Sequence, residues 1–178
     1  MYTQPPLSFY RIRGRKIPGW LLAFSILLSL ISGPMLNIFW GNHVEASSHQ
    51  VKVLEISLPT GSIPQTLTFP LYEQGSIQYF SAGLGKEERS LTYPPFSLKL
   101  IFVQGERAFL AGVGIRVSQV DGTPLLDIPG EEVQGPWLFM NIPTGTYEVS
   151  GTNSTGTTIK KTISVQPKQS TVVHFRFP

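Results

Sequence analysis

Apolar and polar residues alternate with a period of two through most of the chain from Phe96 to Phe177, the pattern of half-buried β-strands. Leu98, Leu100 and Phe102 alternate with Lys99 and Ile101, and Val113, Ile115 and Val117 with Gly114, Arg116 and Ser118. After an Asp121-Gly122 turn, Pro124 to Ile128 reads as a short strand. Trp137 to Ile142 reads as a buried strand, closed by Pro143-Thr144-Gly145, and Tyr147 and Val149 open the next. That strand turns over at Asn153-Ser154-Thr155-Gly156 into Ile159, Ile163 and Val165, whose face also carries Lys161, the one misfit. Thr171, Val173, Phe175 and Phe177 close the series opposite Val172, His174 and Arg176. Seven strands at this spacing predict an all-β, seven-stranded antiparallel β-sandwich over residues 96–178, and with no crossover helices a parallel sheet is excluded.

Upstream the pattern is less regular. Val51 to Leu58 alternates well enough for a strand, Thr66 to Tyr72 is a second interrupted by Pro70, and Ile77 to Ala82 is strand-like. Residues 47–95 therefore read as an extended linker with edge strands. Gly83-Leu84-Gly85 resembles a phosphate loop only superficially: Lys86 is followed by Glu87, and Pro94-Pro95 stops any long helix. A tight turn needing positive φ, followed by one helical turn, is the expectation.

The first 46 residues have a different character. Arg11, Arg13, Arg15 and Lys16 precede 22 uncharged residues, Gly19 to Trp40, broken by Gly33-Pro34. A basic flank before an apolar run of that length predicts a signal peptide or a transmembrane anchor with its basic end in the cytoplasm. Val44-Glu45-Ala46 offers a cleavage site before Ser47. Export to the periplasm follows, with a membrane partner for residues 19–40 if they are retained. Removing residues 1–46 takes four of the 14 basic and one of the 11 acidic residues, leaving ten of each. The basic excess belongs to the targeting flank, and nucleic acid is not an expected partner.

The chemistry on offer is sparse. The chain has no Cys, so disulfides, thiolate metal sites and thiol nucleophiles are excluded. Asp121 and Asp127 are the only aspartates, with Asp121 in a turn, and a carboxylate dyad is not expected. His43, His49 and His174 are scattered, and a metal-binding or hydrolytic protein built on them is the alternative reading. Neither a cofactor nor a catalytic residue is implied. The favoured reading is a non-catalytic module binding an envelope protein, a peptide or a carbohydrate, with Phe109, Glu131 and Glu132 as the expected contacts. Trp137, Pro143, Gly145 and Tyr147 are assigned to the fold itself.

Gly135-Pro136-Trp137-Leu138 followed by Ile142-Pro143-Thr144-Gly145-Thr146-Tyr147-Glu148-Val149 resembles the carboxypeptidase regulatory-like, or transthyretin-like, sandwich, which is similar to Cna-B-type modules. The resemblance runs from Ser97 to Phe177 and implies the prealbumin-like fold of an accessory domain, without a zinc site. Cna-B relatives join a Lys to an Asn as an isopeptide; Lys99, Asn141 and Asn153 are present here without the matching motif.

Overall fold

The computed structural model describes residues 10–14, 50–58 and 65–178. Its elements in chain order are β1 (Tyr10–Gly14), β2 (Gln50–Leu58), β3 (Gln65–Gln74), β4 (Ile77–Ala82), α1 (Lys86–Ser90), β5 (Leu98–Gln104), β6 (Ala108–Phe109), β7 (Gly114–Gln119), β8 (Pro124–Ile128), a 3-10 turn (Gly130–Glu132), β9 (Trp137–Asn141), β10 (Gly145–Thr152), β11 (Thr158–Val165) and β12 (Thr171–Phe177). They form a larger sheet in the order β1-β2-β3-β4-β9-β5-β12, with β6 paired to β5, and a smaller one in the order β11-β10-β7-β8. The apolar faces of the two sheets pack together as a sandwich.

The alternation predicted from Phe96 onward is the alternation observed. Leu98, Leu100, Phe102, Val113, Ile115, Val117, Val149, Phe175 and Phe177 are all buried in the core between the sheets. Lys161, the misfit in β11, is exposed and reaches over the Phe175 ring at 5.9 Å.

Three expectations are corrected. The sandwich is not wholly antiparallel, because β12 runs parallel to β5, from Thr171↔Leu98 to Phe177↔Gln104. No helix is needed for this pair: between β5 and β12 the chain passes through strands of both sheets, and it crosses from β11 to the larger sheet through residues 166–170, where Lys168 adopts φ 60°. The described part of residues 47–95 is also more than a linker with edge strands. β4 lies between β3 and β9, in register from Gln78↔Asn141 to Ala82↔Trp137, so this segment supplies the middle of the larger sheet. The strand total from Ser97 is eight rather than seven, the two-residue β6 being the addition.

The weak alternation upstream has a physical cause. β4 is buried on both faces: Ile77 and Tyr79 enter the core between the sheets, whereas Phe80 and Ala82 enter a second core with Leu54, Ile56, Phe69, Leu71 and Phe139. Leu91, Tyr93 and Phe96, in the segment after α1, pack against this second core. Phe80 and Phe139 stack with centroids 4.8 Å apart. Pro70 is tolerated inside β3 because β4 pairs only with Tyr72–Gln74, leaving Pro70 opposite Val53 of β2 alone.

β1, drawn from the basic flank, pairs with β2 from Tyr10↔Ile56 to Gly14↔Lys52. The apolar run 19–40, the Val44-Glu45-Ala46 site, His43 and His49 lie outside the described residues. Among the described residues no helix is long and apolar enough to cross a membrane.

Candidate functional site

The motif at the centre of the chain is held by local hydrogen bonds. Tyr147 is buried and its hydroxyl donates to the Pro143 carbonyl at 2.9 Å, folding the Pro-Thr-Gly corner back on the strand it launches. Gly145 lies under that ring, where a Cβ would sit 3.1 Å from the Tyr147 hydroxyl oxygen. At the other end of β9, a Cβ on Gly135 would lie 2.2 Å from the Ala82 carbonyl oxygen. The Gly135 N–H donates to Ser81 Oγ at 2.8 Å, and the Ser81 hydroxyl donates to the Gly135 carbonyl at 3.3 Å. Pro143, Gly145 and Tyr147 thus form one hydrogen-bonded corner between β9 and β10.

Trp137 does more than fill space. It is half-buried on the outer face of the larger sheet, with Gly83 packed on its indole and Lys99 Nζ 3.6 Å from its ring centroid. Lys99 Nζ is also 5.0 Å from the Phe139 centroid, and burial holds its ammonium below the usual lysine range. Phe109 is half exposed, opposite Val103 in the β5–β6 register, with the Arg89 guanidinium 5.4 Å from its ring. Leu84 and Val172 are exposed as well.

No family model matches this chain, and no curated protein or solved structure matches it either. The Gly83-Leu84-Gly85 loop is closed to phosphate: the Gly83 and Leu84 N–H groups both donate to Glu88 Oε2, at 2.6 and 3.0 Å. Arg89 returns the contact by donating to the Gly83 and Leu84 carbonyls at 2.9 and 3.2 Å. The loop carries its own anion and its own cation.

Glu131 and Glu132 separate. Glu131 is exposed on the 3-10 turn, whereas Glu132 is half-buried. Its Oε2 accepts the Tyr79 hydroxyl at 2.7 Å, and burial with this hydrogen bond pushes the Tyr79 phenol above its ordinary range. The turn carries Glu132 inward because Val133, next to it, is fully buried and its carbonyl accepts the Gly112 N–H. Glu132 therefore serves the core side of the larger sheet and Phe109 the outer side.

His174 is exposed on β12, and among the described residues no three His, Asp or Glu side chains gather to hold a metal ion. Lys99 lies opposite Phe139 rather than Asn141 in the β5–β9 register. The outer face of the smaller sheet is a polar concavity of about 540 Å³, crossed by Arg116–Asp127 and Lys160–Glu148 ion pairs at 2.8 and 3.1 Å. Both pairs are exposed and add little stability. Sequence reasoning missed the Tyr79–Glu132 pair, 53 residues apart, and the Lys99–Trp137 stack. The Glu88 closure had a local signal, an acid a few residues beyond a Gly-x-Gly turn.

Proposed function

We propose that this chain is an exported, non-catalytic cell-envelope module, a transthyretin-like sandwich of the carboxypeptidase regulatory-like kind, which binds a protein or peptide partner. Export is supported by the basic flank Arg11 to Lys16, the uncharged run 19–40 and the Val44-Glu45-Ala46 site. The observation that carries the binding role is the use of the polar groups as braces. Glu88 fills the amides of the glycine loop, Glu132 takes the Tyr79 hydroxyl, and Lys99 lies against Trp137, while Phe109, Leu84 and Val172 stay exposed. Phe109, Leu84 and Val172 are apolar side chains available to a partner.

The test is intact mass and fractionation of the protein expressed in a bacterial host with its native N-terminus. A species beginning at Ser47 in the periplasm, or a full-length species in the inner membrane, is the expected result. A full-length chain in the cytosol overturns the reading.

A further inference from the structure

β1 and a membrane-crossing run at 19–40 exclude each other. A single crossing places residues 10–14 and 50–58 on opposite sides of about 30 Å of hydrocarbon, whereas paired strands lie about 4.8 Å apart. Cleavage after Ala46 has the same consequence, since β1 leaves with the removed segment. Either event strips the outer edge of β2.

That edge is nine residues long, contains neither Pro nor Gly, and keeps an unbroken register with β3 from Gln50↔Glu73 to Leu58↔Gln65. Edges this long and regular pair with other strands unless something blocks them. β1 is the block present here, and it shows what the edge selects. Tyr10 and Ile12 stand opposite Ile56 and Leu54, and Arg11 stands opposite Glu55.

Building on the export reading, we propose that the outer edge of β2 is a strand-addition site, filled by the chain's own Tyr10–Gly14 before export and by an extended segment of a partner protein afterwards. The incoming segment carries apolar side chains opposite Leu54 and Ile56 and a cation opposite Glu55. Main-chain hydrogen bonds to Lys52–Ile56 supply affinity, and the alternating side chains supply selectivity. Occupancy by β1 keeps the edge from pairing prematurely in the cytoplasm.

The test uses the full chain with Arg13→Cys and Val53→Cys, which face each other in the β1–β2 register and meet no native cysteine. Facing residues of antiparallel strands lie within disulfide reach. Oxidant is added to precursor retained in the cytosol by a secretion block, and separately to the exported chain, with mass and fractionation reporting export independently. The disulfide is expected in the precursor and absent after export. Exported chain carrying Val53→Cys alone is then expected to form a mixed disulfide with a synthetic peptide of residues 8–16 bearing cysteine at position 13. Adding Glu55→Arg to that chain slows the capture by roughly two- to fivefold.

A chain that fails to export defeats the export reading on fractionation alone, and the precursor disulfide still reports the β1–β2 pairing. An intramolecular disulfide in the exported chain overturns the proposal. So does exported chain that ignores the peptide, or one in which two copies carrying Val53→Cys instead join to each other through that position, which would make a second copy the occupant.

Discussion

Gly135→Ala tests whether residues 77–82 are built into the sandwich or merely laid against it. The new methyl would sit 2.2 Å from the Ala82 carbonyl oxygen and 2.6 Å from its carbon, both backbone atoms of β4, so no side chain can move aside. Relief requires about 1 Å of separation between Gly135 and β4 if a normal carbon–oxygen contact is to be restored. That opens the Gly135 N–H to Ser81 Oγ bond and the Ser81 hydroxyl to Gly135 carbonyl bond, and loads the neighbouring Phe102 N–H to Pro136 carbonyl bond. Two buried hydrogen bonds at about 1 kcal/mol each, plus the cost of leaving buried groups unsatisfied, give a loss of about 3–5 kcal/mol. The entropic benefit of replacing glycine returns less than about 1 kcal/mol of that. The assay is urea unfolding of the chain carrying Trp20→Phe and Trp40→Phe, followed by the fluorescence of Trp137, the one tryptophan left. Gly105→Ala is the control: it has φ 59° with nothing within 4 Å of the added atom, and costs about 1–2 kcal/mol from the left-handed backbone alone. A Gly135→Ala chain as stable as the Gly105→Ala control would refute the packing of β4 against the entry to β9.

The remaining predictions are smaller. Tyr147→Phe removes the donor to the Pro143 carbonyl and costs about 0.5–1.5 kcal/mol in the same urea assay, with the strand register kept. Glu88→Ala frees the Gly83 and Leu84 amides and costs about 1.5–3 kcal/mol, the range for hydrogen bonds to a charged group. Burial, with the Glu132 hydrogen bond, raises the Tyr79 phenol, and burial raises Tyr93, each above the ordinary 10.0. Above pH 10 the folded chain therefore holds protons that the unfolded chain releases, so their stabilising contribution is complete below pH 10 and falls as pH rises beyond it. Tyr79→Phe should flatten that alkaline decline in melts across pH 9 to 12, and an unchanged slope would count against the Tyr79 assignment.

The legible part of the fold is the part with one buried face. From Leu98 to Phe177 a period of two marks the core in most strands, which have a core side and an exposed side; β9 is the exception, with Leu138 and Met140 in one core and Phe139 in the other. β4 is harder to place because Tyr79 and Phe80 point into different cores, which erases the alternation and leaves a short apolar run. The parallel β5–β12 pair is invisible for a different reason. Pairing partners are a property of topology, and the pattern of β12 is the same beside a parallel neighbour as beside an antiparallel one. Site reading divides along the same line: Tyr147 and Gly145 act within four residues and are legible, while Tyr79 and Glu132 meet across 53 residues and are not. Lys99 reads as an ordinary polar position in an alternating strand until Trp137 and Phe139 are placed beside it.

The proposed export places this sandwich outside the cytoplasm. Val120→Cys provides a single reporter, since the chain has no other cysteine and Val120 is 70% exposed at the end of β7. Intact spheroplasts are treated with a membrane-impermeant maleimide before and after lysis. Full labelling without lysis is expected, and labelling only after lysis would put the sandwich in the cytoplasm.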